Sequence, residues 1–355
     1  SAIYVVLGGY SATAVNDFIQ GMIMLVGISA VVICILNYNG GLGGSIEMLK
    51  DVTAVPDGKL ASLFGPDPIN LFGVVILTSL GTWGLPQMVH KFYAIRDEKD
   101  IKRGLIISTV FCLIVSGGCY LLGGFTRLFN TTEAGEGLGT NVIQKLSNGK
   151  LEFDAMVPAM LEAALPPLLI GLVGVLVLSA SLSTLSALVL TSSNTLTNDL
   201  IDVKGKMDDK KKLVILRVMI LVFLLLSVII AMNKNATITT LMSYSWGALS
   251  GSFLGPFLWG LYSKKTTKAA VWTSFVMGVV LTMGHMCIFT FFKSSFSGLV
   301  SWAAGLPLNL ASPINAGALL MILSLVVTPL VSAFTKKCDD ARSEEHTSEL
   351  QSLAY

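Results

Sequence analysis

Residues Leu178–Asp199 read LSASLSTLSALVLTSSNTLTND. The stretch lies within a long apolar segment, yet Ser179, Ser181, Ser183, Thr184, Ser186, Thr191, Ser192, Ser193, Thr195 and Thr197 all fall in it. On a helix, Ala180, Ser183 and Thr184 stand at i, i+3 and i+4, so they share one face. A backbone carbonyl freed near Ala180 and two hydroxyl oxygens would then converge on one small hard cation. Sodium takes oxygen ligands, and hydrocarbon offers only those the protein brings. The plainer alternative is that these hydroxyls bond back to their own helix or let helices pack closely. The pairing of Ser183 with Thr184, one turn after a small residue, favours the ion site.

The rest of the chain places that stretch in a membrane. Of its 355 residues 53% are hydrophobic and 13% charged, against about 25% charged in a soluble domain. Mean hydropathy is +0.73. A net charge of +2 argues against an acidic or nucleic-acid partner. Cys34, Cys112, Cys119 and Cys287 sit in apolar runs without metal-ligand spacing and read as small core residues. The histidines are scattered and receive no role.

A spanning helix needs about 20 apolar residues. Eight segments are expected to span: 18–36, 69–90, 104–124, 166–191, 213–232, 238–262, 269–292 and 316–334. Residues 1–9 read as the end of an earlier span. The long polar stretches Asn37–Pro68 and Thr126–Glu162 are loops with room for short helices. Lysine and arginine set the orientation. Loop 91–104 (Lys91, Arg96, Lys99, Lys102, Arg103), loop 196–217 (Lys204, Lys206, Lys210, Lys211, Lys212, Arg217) and loop 263–268 (Lys264, Lys265, Lys268) are the basic ones. They alternate with poorer loops, so they and the segment after residue 335 are expected to be cytoplasmic. Gly8–Asp17 then lies near the inner face.

Three further motifs carry candidate chemistry. In Gly8–Gln20 (GGYSATAVNDFIQ) the glycine pair suits a tight turn, which puts Asp17 near the start of the next helix. An ionisable residue at a membrane boundary is a functional candidate, though an acid there also complements the helix dipole. In Leu77–Phe92 (LTSLGTWGLPQMVHKF), Gly81, Gly84 and Pro86 interrupt an apolar span. Broken helices of this kind hold solutes near the midplane of transporters. Thr82, Trp83, Gly84, Pro86 and Gln87 are the candidate solute contacts, against a simple proline kink. In Met242–Lys265, small residues allow close helix packing, and Tyr244 and Trp246 either face a cavity or sit in an interfacial belt.

With these residues in view, the chain resembles the sodium:solute symporter family, which includes carriers of proline, pantothenate and glucose. The resemblance covers nearly all of residues 1–335. Gly8, Gly9, Asp17 and Gln20 reproduce the family's GG…D..Q spacing. Gly84, Pro86, Lys91 and Phe92 stand where the family has its G-x-P segment, a basic residue and a phenylalanine. The run Ser179–Asp199 is similar to the family's most distinctive helix.

The resemblance implies an all-α polytopic membrane protein with a five-plus-five inverted-repeat fold of the leucine-transporter type. It implies a multi-pass protein of the cell membrane that couples sodium entry to uptake of a small organic solute by alternating access. No bond is made or broken, so no enzyme and no cofactor beyond the coupling ion is expected. By the same resemblance Ser183 and Thr184 match the sodium-site hydroxyls and Ala180 the carbonyl ligand. Asp17 matches an acid implicated in sodium movement toward the cytoplasm. Proline-carrier-like members usually read G-Q-P-H at the break, whereas this chain reads Gly84-Leu85-Pro86-Gln87, with Thr78 and Thr82 where aromatic residues are expected. The solute is therefore proline, another amino acid, a carboxylate, pantothenate or a sugar. A membrane sensor or scaffold related to the carriers is the alternative. Residues 1–341 are expected to form one transmembrane symporter domain lacking its first core helices, without which transport is not expected. Arg342–Ser352 (RSEEHTSELQS) resembles a translated sequencing adapter, so 342–355 is read as a non-native tail.

Overall fold

The computed structural model describes residues 2–51, 56–86, 88, 95, 97–129, 154, 156–202, 207–232, 237–263 and 265–335, with backbone alone for 2–13, 56, 57 and 98. In chain order the helices are α1 (Ala2–Tyr38), α2 (Gly41–Lys50), α3 (Pro68–Trp83), α4 (Glu98–Phe129), α5 (Met156–Ala164) and α6 (Pro167–Thr195). There follow α7 (Asp209–Met232), α8 (Ile238–Tyr262), α9 (Lys268–Met286), α10 (Ser297–Ala304) and α11 (Pro313–Phe334). Short π turns extend α6 through Leu196–Ile201 and α9 through Cys287–Phe291. No strand occurs among the described residues.

Each expected span holds a helix. Among the described residues, six stretches are long and apolar enough to cross a membrane: Ala14–Tyr38, Lys99–Phe129, Pro167–Ile201, Asp209–Met232, Lys268–Phe291 and Pro313–Phe334. The chain is an all-α, multi-pass membrane protein. Helix α3 is a shorter apolar helix, and α8 runs for 25 residues rich in glycine and serine. The loop Asn37–Pro68 holds α2 and a turn of 3-10 helix at Pro56–Ala61, as its composition allows.

Two expectations are corrected. Gly8 and Gly9 form no turn, because α1 runs unbroken through them. An unbroken helix pairs its backbone internally, where a turn would offer bare N–H and C=O groups to hydrocarbon. That outweighs the roughly 1 kcal/mol each glycine costs a helix. Asp17 consequently lies deep inside a 37-residue helix rather than at its start, so the helix-dipole reading of it falls. Of the four described cysteines, Cys112 and Cys119 are exposed on α4, and Cys34 and Cys287 are partly covered. A lipid-facing helix side accepts a small apolar thiol as readily as a core does.

The chain divides into two compact units, Ser1–Pro66 with His90–Thr237, and Asp67–Val89 with Ile238–Tyr355. In the first, Ile28, Val31 and Ile35 of α1 fall at helical spacing and are buried with Leu122 and Phe125 of α4 and Met160 of α5. A second cluster joins Val189 of α6 to Ile220 of α7.

In the second unit, Leu77 of α3, Leu254 of α8 and Met321 of α11 form the core. Pro256 and Pro329 lie inside α8 and α11. Each lacks an N–H, so the carbonyl four residues earlier loses its helical partner. Both carbonyls are served from a neighbouring helix. Ser274 Oγ of α9 donates to Ser252 O at 3.1 Å, and Trp259 Nε1 of α8 donates to Leu325 O at 2.8 Å. Ser274→Ala is expected to lower thermal stability by about 1 kcal/mol, the cost of one orphaned buried carbonyl. Adding Pro256→Ala restores an N–H for Ser252 O and should recover most of the loss. If the double variant melts below Ser274→Ala, the proline-freed carbonyl is not what Ser274 serves.

Candidate functional site

The first unit brings Asp17 and Ser183 together. Ser183 Oγ donates to Asp17 Oδ1 at 2.7 Å, tying α1 to α6 across a long separation in sequence. Both residues are half-buried. Within the same serine-rich run, Ser186 Oγ donates to Leu182 O at 2.5 Å and Thr197 Oγ1 to Ser193 O at 2.7 Å. Back-bonding to the helix thus describes Ser186 and Thr197, and Ser183 departs from it. Thr184 is exposed on the first unit and Ala180 half-buried. Helix α6 continues through Ala180, so its carbonyl is not freed by a break. Its second lone pair is all it has for an ion.

Asp17 stands beside two residues with unspent polar atoms. Asn16 Nδ2 and Gln20 Oε1 are buried without a partner, and Gln20 is 6% exposed. Asn16 and Gln20 are one turn apart and share a face of α1. Burying a bare amide oxygen costs free energy unless something polar meets it. Sequence reading placed Gln20 only in a spacing pattern and missed Asn16. The available signal was an i, i+4 pair of amides flanking an acid inside an apolar helix.

The second unit holds the described solute candidates. Helix α3 ends at Trp83, and Gly84 has φ −88° and ψ 1°. The expected interruption therefore exists, and the chain turns there, with Met88 N–H donating to Leu85 O at 3.0 Å. Ser250 Oγ of α8 donates to Gly81 O at 2.5 Å, next to the break. Gly84 is buried so closely on Ser250 that a Cβ would lie 2.9 Å from its Cα. Trp246 packs over Gly81 and joins the core of this unit, which sets aside the interfacial-belt reading for it. Tyr244 hydroxyl pairs with Thr290 Oγ1 at 2.6 Å, and its ring lies 5.9 Å from that of His285. Thr82 Oγ1 is spent on Ser79 O at 2.9 Å. Pro86 is half-buried, and Trp83 is 57% exposed. Gln87 lies outside the described residues.

A statistical description of the sodium:solute symporter family matches residues 1–278. This chain belongs to that family. Among similar proteins is the sodium/pantothenate symporter of Haemophilus influenzae, 26% identical over 317 residues, which cover 85% of this chain and 61% of that protein. The high-affinity proline transporter of Bacillus subtilis is 27% identical over 287 residues, covering 78% of this chain and 55% of that one. The sodium/proline symporter of Staphylococcus aureus is 27% identical over 292 residues, covering 79% and 52%. The chain thus spans about half to three-fifths of the length of these relatives. The hydroxyls of Thr78 and Thr82, on the helix that leads to the break, both bond to their own helix.

Proposed function

We propose that this protein carries out sodium-coupled uptake of a small organic solute by alternating access. The observation that carries the reading is the Ser183–Asp17 hydrogen bond, which joins two of the residues expected to handle sodium. In this reading sodium is a co-substrate. Ala180 O, Ser183 Oγ and Thr184 Oγ1 receive it, Asp17 takes over Ser183 as sodium leaves, and Gln20 Oε1 offers a further oxygen on the way. The solute binds around Thr82–Gln87, with Tyr244 and Trp246 shaping that site. The names of the relatives put proline and pantothenate first among solutes. The driving force is adequate for a single ion: about 2.3 kcal/mol per 100 mV plus about 1.4 kcal/mol for a tenfold gradient.

The test is uptake of labelled proline and labelled pantothenate into proteoliposomes, with and without an inward sodium gradient, using the protein expressed from its full reading frame. Accumulation of either solute only with the gradient supports the reading. Accumulation independent of sodium overturns it. Asp17→Asn is expected to slow turnover about 10- to 100-fold, the worth of a hydrogen bond to a carboxylate, with little change in solute half-saturation. An unaltered rate would remove Asp17 from the sodium path.

A further inference from the structure

A cavity of about 510 Å³ opens in the second unit, where the last turns of α8 and α11 meet the start of α9. Its volume is that of a small-ligand site. Part of its lining is apolar, from the Trp259 ring, Pro329 and Ala333. The rest is mostly hydroxyl, and the protons those hydroxyls have to spare set what it can hold.

Thr266 Oγ1 donates to Trp259 O at 2.9 Å. Ser332 Oγ donates to Thr328 O at 2.8 Å, and Thr335 Oγ1 to Val331 O at 2.8 Å. The Trp259 indole N–H is already spent on Leu325 O, the carbonyl that Pro329 leaves bare. Two lining donors remain. Ser263 Oγ accepts from Lys265 N–H at 3.2 Å and keeps its own proton. The Lys265 ammonium is exposed and forms no ion pair among the described residues. One cationic and one hydroxyl donor beside an apolar wall match a single anionic group carried on an apolar body.

The location narrows the source of that anion. Lys264, Lys265 and Lys268 follow directly on α8, a helix of 25 residues in a multi-pass protein, the pattern of a loop at the cytoplasmic leaflet, where anionic lipids lie. Tryptophan favours the same depth. The geometry points to a seat for the phosphate of an anionic phospholipid, held by Lys265 and Ser263, with its glycerol and upper acyl chain against Trp259 and Pro329. This site is independent of the sodium and solute residues.

The experiment is native mass spectrometry of the detergent-solubilised full chain titrated with short-chain phosphatidylglycerol, phosphatidylcholine or glycerol phosphate. Phosphatidylglycerol is expected to bind at least fivefold tighter than phosphatidylcholine, and glycerol phosphate should not displace it at equal concentration. Lys265→Gln with Ser263→Ala should cut phosphatidylglycerol affinity about fivefold or more, since one lysine near an anionic headgroup contributes about 1 kcal/mol. Lys265→Arg should retain the preference, which guards against a folding defect. Lys210→Gln, in the first turn of α7, should leave it unchanged. Equal binding of the two lipids overturns the proposal. So does effective competition by glycerol phosphate, which would make the site one for soluble anions. An equal loss in Lys210→Gln also overturns it, by showing diffuse attraction rather than a seat.

Discussion

Replacing Ser183 and Thr184 together by alanine is expected to raise the sodium concentration for half-maximal uptake by about 30- to 1000-fold. In the proposed site this removes two oxygen ligands from the cation, each worth roughly 1–2 kcal/mol. The single variants should divide unequally. Ser183 also bonds Asp17 at 2.7 Å, so under the proposed mechanism Ser183→Ala removes both an ion ligand and the partner of Asp17. It should therefore weaken sodium activation and slow turnover, whereas Thr184→Ala should weaken activation alone. Sodium activation curves of the three variants, at saturating solute, make the measurement. If the double variant keeps the sodium dependence of the unaltered protein, the sodium site lies elsewhere and the Ser183–Asp17 bond is only a helix contact.

Much of this was legible in the sequence, for reasons that differ by residue. Six of the eight expected spans could be read because apolar length decides them, whereas α3 is shorter and α8 richer in glycine and serine than a plain apolar span. The break at Gly84 could be read because proline and glycine act locally. The unbroken path of α1 through Gly8 and Gly9 could not, since the choice between turn and helix there is made by the surrounding hydrocarbon. Nor could the partner of Ser183. Nothing in a run of ten hydroxyls tells which one will meet an acid on α1 and which, like Ser186, will bond back to its own helix. The partnering of Pro256 with Ser274 and of Pro329 with Trp259 was equally hidden. Each proline announces a bare carbonyl, but the donor comes from another helix.

The largest effect on folding is expected at Gly255. A Cβ there would lie 2.2 Å from Ser324 O and 2.5 Å from Thr328 Oγ1, and the nearest atoms include backbone. The backbone N–H of Gly255 also donates to Ser324 Oγ at 3.3 Å. Gly278 meets the same limit from α9, with a Cβ 2.5 Å from Ser252 N. Helices α9, α8 and α11 are thus in backbone contact on both sides of α8. Small residues of this kind let helices approach where no hydrophobic force between them operates in lipid. Gly255→Ala cannot be relieved by a rotamer change, because what it strikes is main chain. Helices α8 and α11 would have to separate, which should also pull Trp259 away from Leu325 O. A loss of about 3 kcal/mol or more follows, at the upper end for overpacking, and the second unit should fail to assemble stably. Gly260→Ala on the same helix is the control, since a Cβ there meets nothing within 4 Å. It should be neutral or slightly stabilising. Detergent-solubilised yield and the thermal unfolding midpoint of the two variants decide the matter. Equal midpoints would mean that α8 and α11 do not pack at the separation the structure gives them.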